Sequence, residues 1–237
     1  MKNICPLNGR PLIVYTIEAA MAARGLNAVM VSTDSKEVAD VARAAGGWVP
    51  FLRPPELARD DTPTWEVLRH AIDFYERRTR SMVHSVVTLQ PTAPLRQAQD
   101  IEAALDLYLR HQPEADCLVS ACVVEHMHPL TLYTRDGSYA RPFLPGEVHT
   151  KRRQEWDTVL WRNGAVYISR RELVVLHKAV VGQRPLLYEM PVHRSVSIDT
   201  LYDLRVAQLH LIHGEWLRGD AGEAVEPPGR GSQRWRP

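Results

Sequence analysis

Short apolar runs alternating with amphipathic stretches constrain this chain more than any other feature. The runs "NAVMVST", "WVPF", "SVVTLQ" and "DCLVSACVV" are separated by segments whose apolar residues fall at helical spacing. Strands separated by helices cannot pair through tight hairpins. Each crossover carries the chain back over a sheet face, so most strands run parallel and helices cover both faces. The reading is an α/β fold with a mostly parallel sheet, Rossmann-like in architecture. Ligands in open sheets of this kind lie beyond the carboxyl ends of the strands. The loops to inspect are therefore "STDS", "RPPELARDDT", "QPTAPLR" and "SIDT".

Several helix ends are legible. Pro11 opens a helix with Leu12, Tyr15, Ala19 and Ala22 inward, and Gly25 stops it. Asp34 with Glu37 has the spacing of a capping box for a helix ending at Ala45. Thr62-Pro63 starts another, to about Arg77, with Trp65, Leu68, Ile72 and Tyr75 inward. "AQDIEAALDLYLRH" is amphipathic, and Thr200 with Asp203 caps a last helix through Leu217. After "DCLVSACVV" the alternation breaks. "LTLYTRDGSYARPF" reads as a β-hairpin about Asp136-Gly137, while "AVYIS" and "LLYEMPV" read as extended. Residues 1–218 form one domain in this reading, with a hairpin lobe at about 125–162, and 219–237 form a disordered tail.

Composition narrows the partners. Lys and Arg number 29 against 28 Asp and Glu, a balance that argues against nucleic-acid backbone binding. No apolar run approaches the roughly 20 residues that span a bilayer, which predicts no membrane partner. Cys5, Cys117 and Cys122 lack CxxC spacing, so buried thiols in a reducing cytoplasm are expected. His126 and His128 alternate without a Cys or a third His at zinc spacing. The P-loop and GxGxxG signatures are missing, which removes two common nucleotide-binding modes.

The candidate chemistry sits in the loops. Lys2, beside Asn3, can offer a compact cation to a phosphate, or be an ordinary solvated lysine. Asp34 can cap a helix, bind a ribose or ligate a metal. Gln90 stands where a strand exits and offers both a donor and an acceptor, and Arg96 can fork a carboxylate or phosphate. "RRQEWDTVLWRNGAVYIS" gathers Arg152, Arg153, Arg162 and Asn163, with Gly164 permitting close backbone approach; a solvated charge run is the plainer reading. Ser197 and Asp199 share one face of an extended segment, where Asp199 is either a turn residue or a ligand for Mg²⁺.

Eight pieces in order, "KNICPLNGRPLIVYTIEAA", "VSTD", "RPPELARDDTPT", "LQPTAPLR", "VSAC", "RRQ", "RNGAVYI" and "SIDT" followed by "DL", resemble the acylneuraminate cytidylyltransferases, the CMP-sialic acid synthetases. The resemblance implies the nucleotidyltransferase fold, a hairpin lobe through which a homodimer forms, and transfer of CMP from CTP to a sialic-acid-like nonulosonic acid. It implies that Lys2 and Asn3 contact the nucleotide and its phosphates, with Lys2 catalytic, and that Arg53 sits in the nucleotide pocket. It further implies that Gln90, Arg153, Arg162 and Asn163 hold the sugar acid, and that Asp199 binds a catalytic Mg²⁺. Two departures stand out. The family's metal motif is Asp-x-Asp, and the first position here is Ser197. The family also carries a strand and a phosphate loop ahead of Lys-Asn, so the natural protein is expected to begin about 15–20 residues upstream. A non-catalytic relative that binds a sugar nucleotide is the competing expectation, favoured by those same departures.

Overall fold

The computed structural model describes residues 2–124, 127–144, 152 and 155–212. A single 3-10 turn, Lys2–Ile4, leads into a two-residue hairpin of β1 (Pro6–Leu7) and β2 (Arg10–Pro11). Its turn is Asn8-Gly9, both at positive φ, as expected of a hairpin with left-handed central residues. Helix α1 (Leu12–Ala22) follows at once. It buries Leu12, Ile13, Thr16, Ile17 and Ala20, so its inward stripe is rotated from the expected one, and Ala22 is exposed. The rotation arises because α1 serves two cores: Ile13 and Ile17 pack with Val38, Ala39 and Ala42, whereas Ala20 packs with Ile101 and Leu105.

Helix α2 (Lys36–Ala44) is capped by Ser35, whose hydroxyl accepts from the Val38 amide at 3.2 Å. The expected cap at Asp34 is therefore displaced by one residue, because Asp34 is engaged elsewhere. The expected strand 28–32 meets 48–51 through an isolated parallel bridge, Met30 with Trp48, and a second bridge joins Thr33 with Leu52, one residue beyond each. Helix α3 (Thr64–Thr79) then runs as anticipated with Ile72 buried, and Phe74 and His70 pack edge-on against Phe51.

Strands β3 (Ser85–Thr88) and β4 (Cys117–Val123) flank helix α4 (Ala98–Arg110) in sequence. The hairpin about Asp136-Gly137 forms, as β5 (Tyr133–Asp136) and β6 (Tyr139–Pro142). Next come the long β7 (Leu160–Arg170), a five-residue α5 (Arg171–Val175), β8 (Leu186–Glu189) and α6 (Leu201–Ile212). The main sheet has the order β3-β7-β4-β8. Strands β3, β4 and β8 point one way and β7 runs against them, pairing antiparallel with both β3 and β4. Ile101, Ala104, Leu105 and Tyr108 of α4 close the core over Leu118, Val166 and Ile168. The Thr200–Asp203 box caps α6 as expected. Residues 213–237, including the helix end at Leu217 and the predicted tail, lie outside the described residues, as do parts of the 125–162 lobe.

Candidate functional site

The segment 195–200 and the N-terminal turn meet although they are far apart in sequence. Lys2 Nζ donates to Asp199 Oδ1 at 2.8 Å, with both side chains largely open to solvent. Asn3 is exposed on the same turn. Asp199 is held by its own backbone: its amide donates to Asp203 Oδ2 at 3.0 Å, and the neighbouring Thr200 amide donates there at 2.7 Å. The Ile198 amide donates to the Thr92 carbonyl at 2.8 Å, which fastens this segment to the loop after β3. Lys2, Cys5, Leu12, Ile198, Asp199, Thr200, Leu201 and Leu204 line a cleft of about 210 Å³.

The loop after β3 carries Gln90, whose side chain is exposed and rests on Gly164 of β7. Gly164 has φ +73°, and a Cβ there would lie 2.5 Å from Gln90 Oε1, so only glycine admits this contact. Arg162 is exposed two residues earlier, its guanidinium over the Tyr167 ring at 5.7 Å. Asn163 lies between them with its amide turned inward. Oδ1 accepts from Ser120 Oγ at 2.6 Å and from the Ala165 amide at 3.1 Å, while Nδ2 donates to Ser195 Oγ at 2.8 Å. That side chain is buried and its hydrogen bonds are spent on β4, β7 and the 190s segment. Its geometry fits a structural strut rather than a group held out to a sugar. Arg153 lies outside the described residues.

Arg96 does not form the anion fork its type suggested. It is 3% exposed and donates to the carbonyls of Ala165 (2.7 Å) and Gln90 (3.3 Å) and to Thr16 Oγ1 (2.7 Å). Burial pushes its guanidinium down to about 10, which leaves it charged at neutral pH.

A second cleft, about 320 Å³, opens between the end of the 48–53 segment and the start of α3. Arg53, Arg59, Asp60, Thr62 and Thr64 supply its polar lining and Leu57, Ala58 and Val67 its apolar part. Arg53 is oriented by Asp34, Nη2 to Oδ1 at 3.0 Å, and that guanidinium holds the Asp34 carboxyl below its usual range. The Arg53 Nε is buried and has no acceptor among the described residues. The family resemblance implies a nucleotide pocket for Arg53, and the piece that carries it, "RPPELARDDTPT", also contains Thr62 and Thr64, although neither threonine stood out singly.

No group of three His, Cys, Asp or Glu side chains among the described residues could hold a metal ion alone. The donor set near Asp199 is its own exposed carboxylate, the half-buried Ser197 two residues away, and the Asp203 carboxylate, whose Oδ2 already accepts from the Asp199 and Thr200 amides. Such a set suits Mg²⁺ that arrives on a triphosphate and keeps waters in its shell, not a dedicated protein cage.

A sequence profile described as cytidylyltransferase matches residues 1–211. N-acylneuraminate cytidylyltransferase of Streptococcus agalactiae serotype V is 31% identical over 204 residues, 85% of this chain and 47% of that protein. The chain belongs to the acylneuraminate cytidylyltransferase family. It spans about half the length of several curated relatives it matches, those from Streptococcus agalactiae among them. CMP-N,N'-diacetyllegionaminic acid synthase of Legionella pneumophila is also 31% identical, and there the match covers 85% of both proteins. Among solved structures, a CMP:2-keto-3-deoxy-manno-octonic acid synthetase complexed with CTP superposes with TM-score 0.63 at 18% identity, covering 90% of this chain and 92% of that one. A 4-diphosphocytidyl-2C-methyl-D-erythritol synthase gives TM-score 0.62 at 10% identity, covering 89% and 94%. These two likenesses establish the nucleotidyltransferase-like fold.

Proposed function

We propose that this family member transfers CMP from CTP to a sialic-acid-like nonulosonic acid and releases pyrophosphate, as a homodimer. The observation that carries the reading is the meeting of Lys2 with Asp199 beside the loop that presents Gln90. A cation for phosphate, a carboxylate for a metal and an amide for a sugar acid then border one region at the end of the sheet. Family membership and the 31% identity to enzymes named for two different nonulosonic acids support the substrate class.

In the reaction the anomeric hydroxyl oxygen bonds to the α-phosphorus, the bond to the pyrophosphate oxygen breaks, and the hydroxyl proton leaves to water. Transfer of this kind asks for positioning and charge neutralisation more than for covalent help from the protein. Mg²⁺, when bound, neutralises phosphate oxygens; Asp199 is the residue that would hold it. Lys2 leaves its contact with Asp199 and places its ammonium on the phosphates, with Asn3 beside it. The cleft at Arg53, Thr62 and Thr64 has the size and polar edge for the cytosine ring. Gln90 and Arg162 bind the acyl sugar and its carboxylate, with Arg153 as a further proposed contact, while the buried Asn163 supports the strand that carries Arg162. The exposed Tyr133, Tyr139 and Phe143 on and beside the β5–β6 hairpin support dimerisation through that lobe.

The test is pyrophosphate release from CTP and Mg²⁺ with a panel of nonulosonic acids. Release that requires both substrates, and falls about 100-fold or more in Asp199→Asn and Lys2→Ala, is expected. CTP binding by calorimetry without release from any sugar would overturn the enzymatic reading in favour of a sugar-nucleotide binding protein, the outcome that Ser197 in the metal motif would favour.

A further inference from the structure

We propose that Arg96 is a positioning residue for the sugar-acid half of the site, acting through Gln90 and the bend at Gly164. The inference rests on the substrate reading above and adds a residue to it. Gln90 is constrained at two places. Its main-chain carbonyl accepts from Arg96 Nη1 at 3.3 Å, and its side-chain amide lies on Gly164, whose neighbour Ala165 gives its carbonyl to the same nitrogen at 2.7 Å. One guanidinium therefore holds both the backbone from which the amide springs and the backbone against which it rests. The third contact, Nη2 to Thr16 Oγ1 at 2.7 Å, ties that pair of segments to α1, on the rigid side of the core.

The choice of arginine follows from geometry. Three acceptors on three different segments are met by a planar group with donors in fixed directions, which a lysine ammonium on a flexible stem does not reproduce. The ion is 3% exposed and its hydrogen-bond partners are neutral oxygens, with Asp100 contributing only at a distance. A buried charge so poorly compensated is costly for a fold alone, and an apolar side chain would fill the same space more cheaply. Its location directly behind Gln90 gives the charge a use. It fixes the amide and adds positive potential where an anionic sugar would lie, without touching the ligand.

Arg96→Lys, which keeps the charge, and Arg96→Met, which keeps the bulk, are compared with Ile72→Ala, a destabilising change in the core of α3. Both Arg96 variants are expected to raise the KM for the sugar acid about tenfold or more. The KM for CTP should stay within about twofold, and Ile72→Ala should leave both constants alone even where its melting temperature is as low. A wild-type sugar KM in Arg96→Lys overturns the role of the fork. Equal rises in both KM values, or the same sugar effect in Ile72→Ala, reduces Arg96 to a structural residue and also overturns the proposal. Failure of the substrate reading has a different signature, absence of turnover in the wild type. In that event amide hydrogen exchange decides, since the Ala93 amide bonds the Gln90 carbonyl at 3.2 Å. Faster exchange there in Arg96→Lys upholds the positioning of Gln90, and unchanged exchange overturns it.

Discussion

Glu76 shows how a single carboxylate can couple stability to pH in this protein. It accepts from Arg171 Nε at 2.8 Å and Nη2 at 3.0 Å, and from the Val83 amide at 3.0 Å, joining α3 to the start of α5. The Arg171 guanidinium holds the Glu76 carboxyl below its ordinary 4.5. A carboxylate with a depressed folded value contributes its stability above the unfolded value and loses it as pH falls through the folded one. Glu76→Gln should therefore cost about 1 kcal/mol in urea melts at neutral pH. The gap to wild type should narrow below pH 4.5 and close beneath the folded value; a gap constant with pH would refute the electrostatic account. At this scale the sequence was read unevenly. Lys2 and Asp199 were both flagged, because a family pattern marks them, yet nothing local says they touch across 197 positions. Arg96 was flagged because its guanidinium can fork an anion, and Asn163 because the family resemblance implies a sugar contact. Burial decides whether a donor faces a ligand or a carbonyl, and burial is set by partners such as Ala165 and Ser120 that lie 69 and 43 residues away.

Helix α4 illustrates coupling between elements. Its third residue, Asp100, is 1% exposed and closes a capping box with Gln97. The same carboxylate takes Arg194 in a two-pronged pair, Nη2 at 2.8 Å and Nε at 3.0 Å, and accepts from the Tyr188 hydroxyl at 3.3 Å. The start of α4 is thereby joined to β8 and to the turn that precedes Ser197 and Asp199. Arg194→Met should destabilise by about 3 kcal/mol, because it strands a buried carboxylate. Adding Asp100→Asn should restore part of the loss in the same melts, and a simple sum of the two single effects would show that they do not act as a pair. Elements with their own local signal were the legible ones: α1 to α4, α6 with its Thr200–Asp203 box, and the Asp136-Gly137 hairpin. The strand expected at 28–32 has the right composition, but apolar β-branched residues do not name a partner, and it pairs through isolated bridges. The start of β7 gathers arginines, so a solvated charge run was the plainer reading from sequence; in the structure Trp161 and Arg162 are exposed and Gly164 interrupts the alternation with its positive φ. At five residues, α5 is too short for a helical period to register.

At the scale of the whole molecule, the hairpin lobe is the surface that asks for company. Tyr139, on a two-stranded ribbon separate from the main sheet, is 83% exposed, and Phe143, just beyond its end, is 57% exposed. On the proposed dimerisation through this lobe, replacing both with serine should leave a monomer in sedimentation velocity with the far-ultraviolet spectrum unchanged; a dimer that survives would overturn the lobe as the interface. The overall architecture was legible because alternation of elements largely dictates layering, whereas the order of strands depends on contacts the alternation does not encode. That order has a consequence for how the chain acquires its shape. Strands β3 and β4 share no ladder with each other and meet only through β7, whose Arg170 pairs with Ser85. During synthesis the earlier strands leave the ribosome well before the one that joins them, and their edges wait unpaired until it arrives. The sheet closes late, through contacts distant in sequence, and in that interval the nascent protein depends most on whatever shields exposed strand edges in the cell.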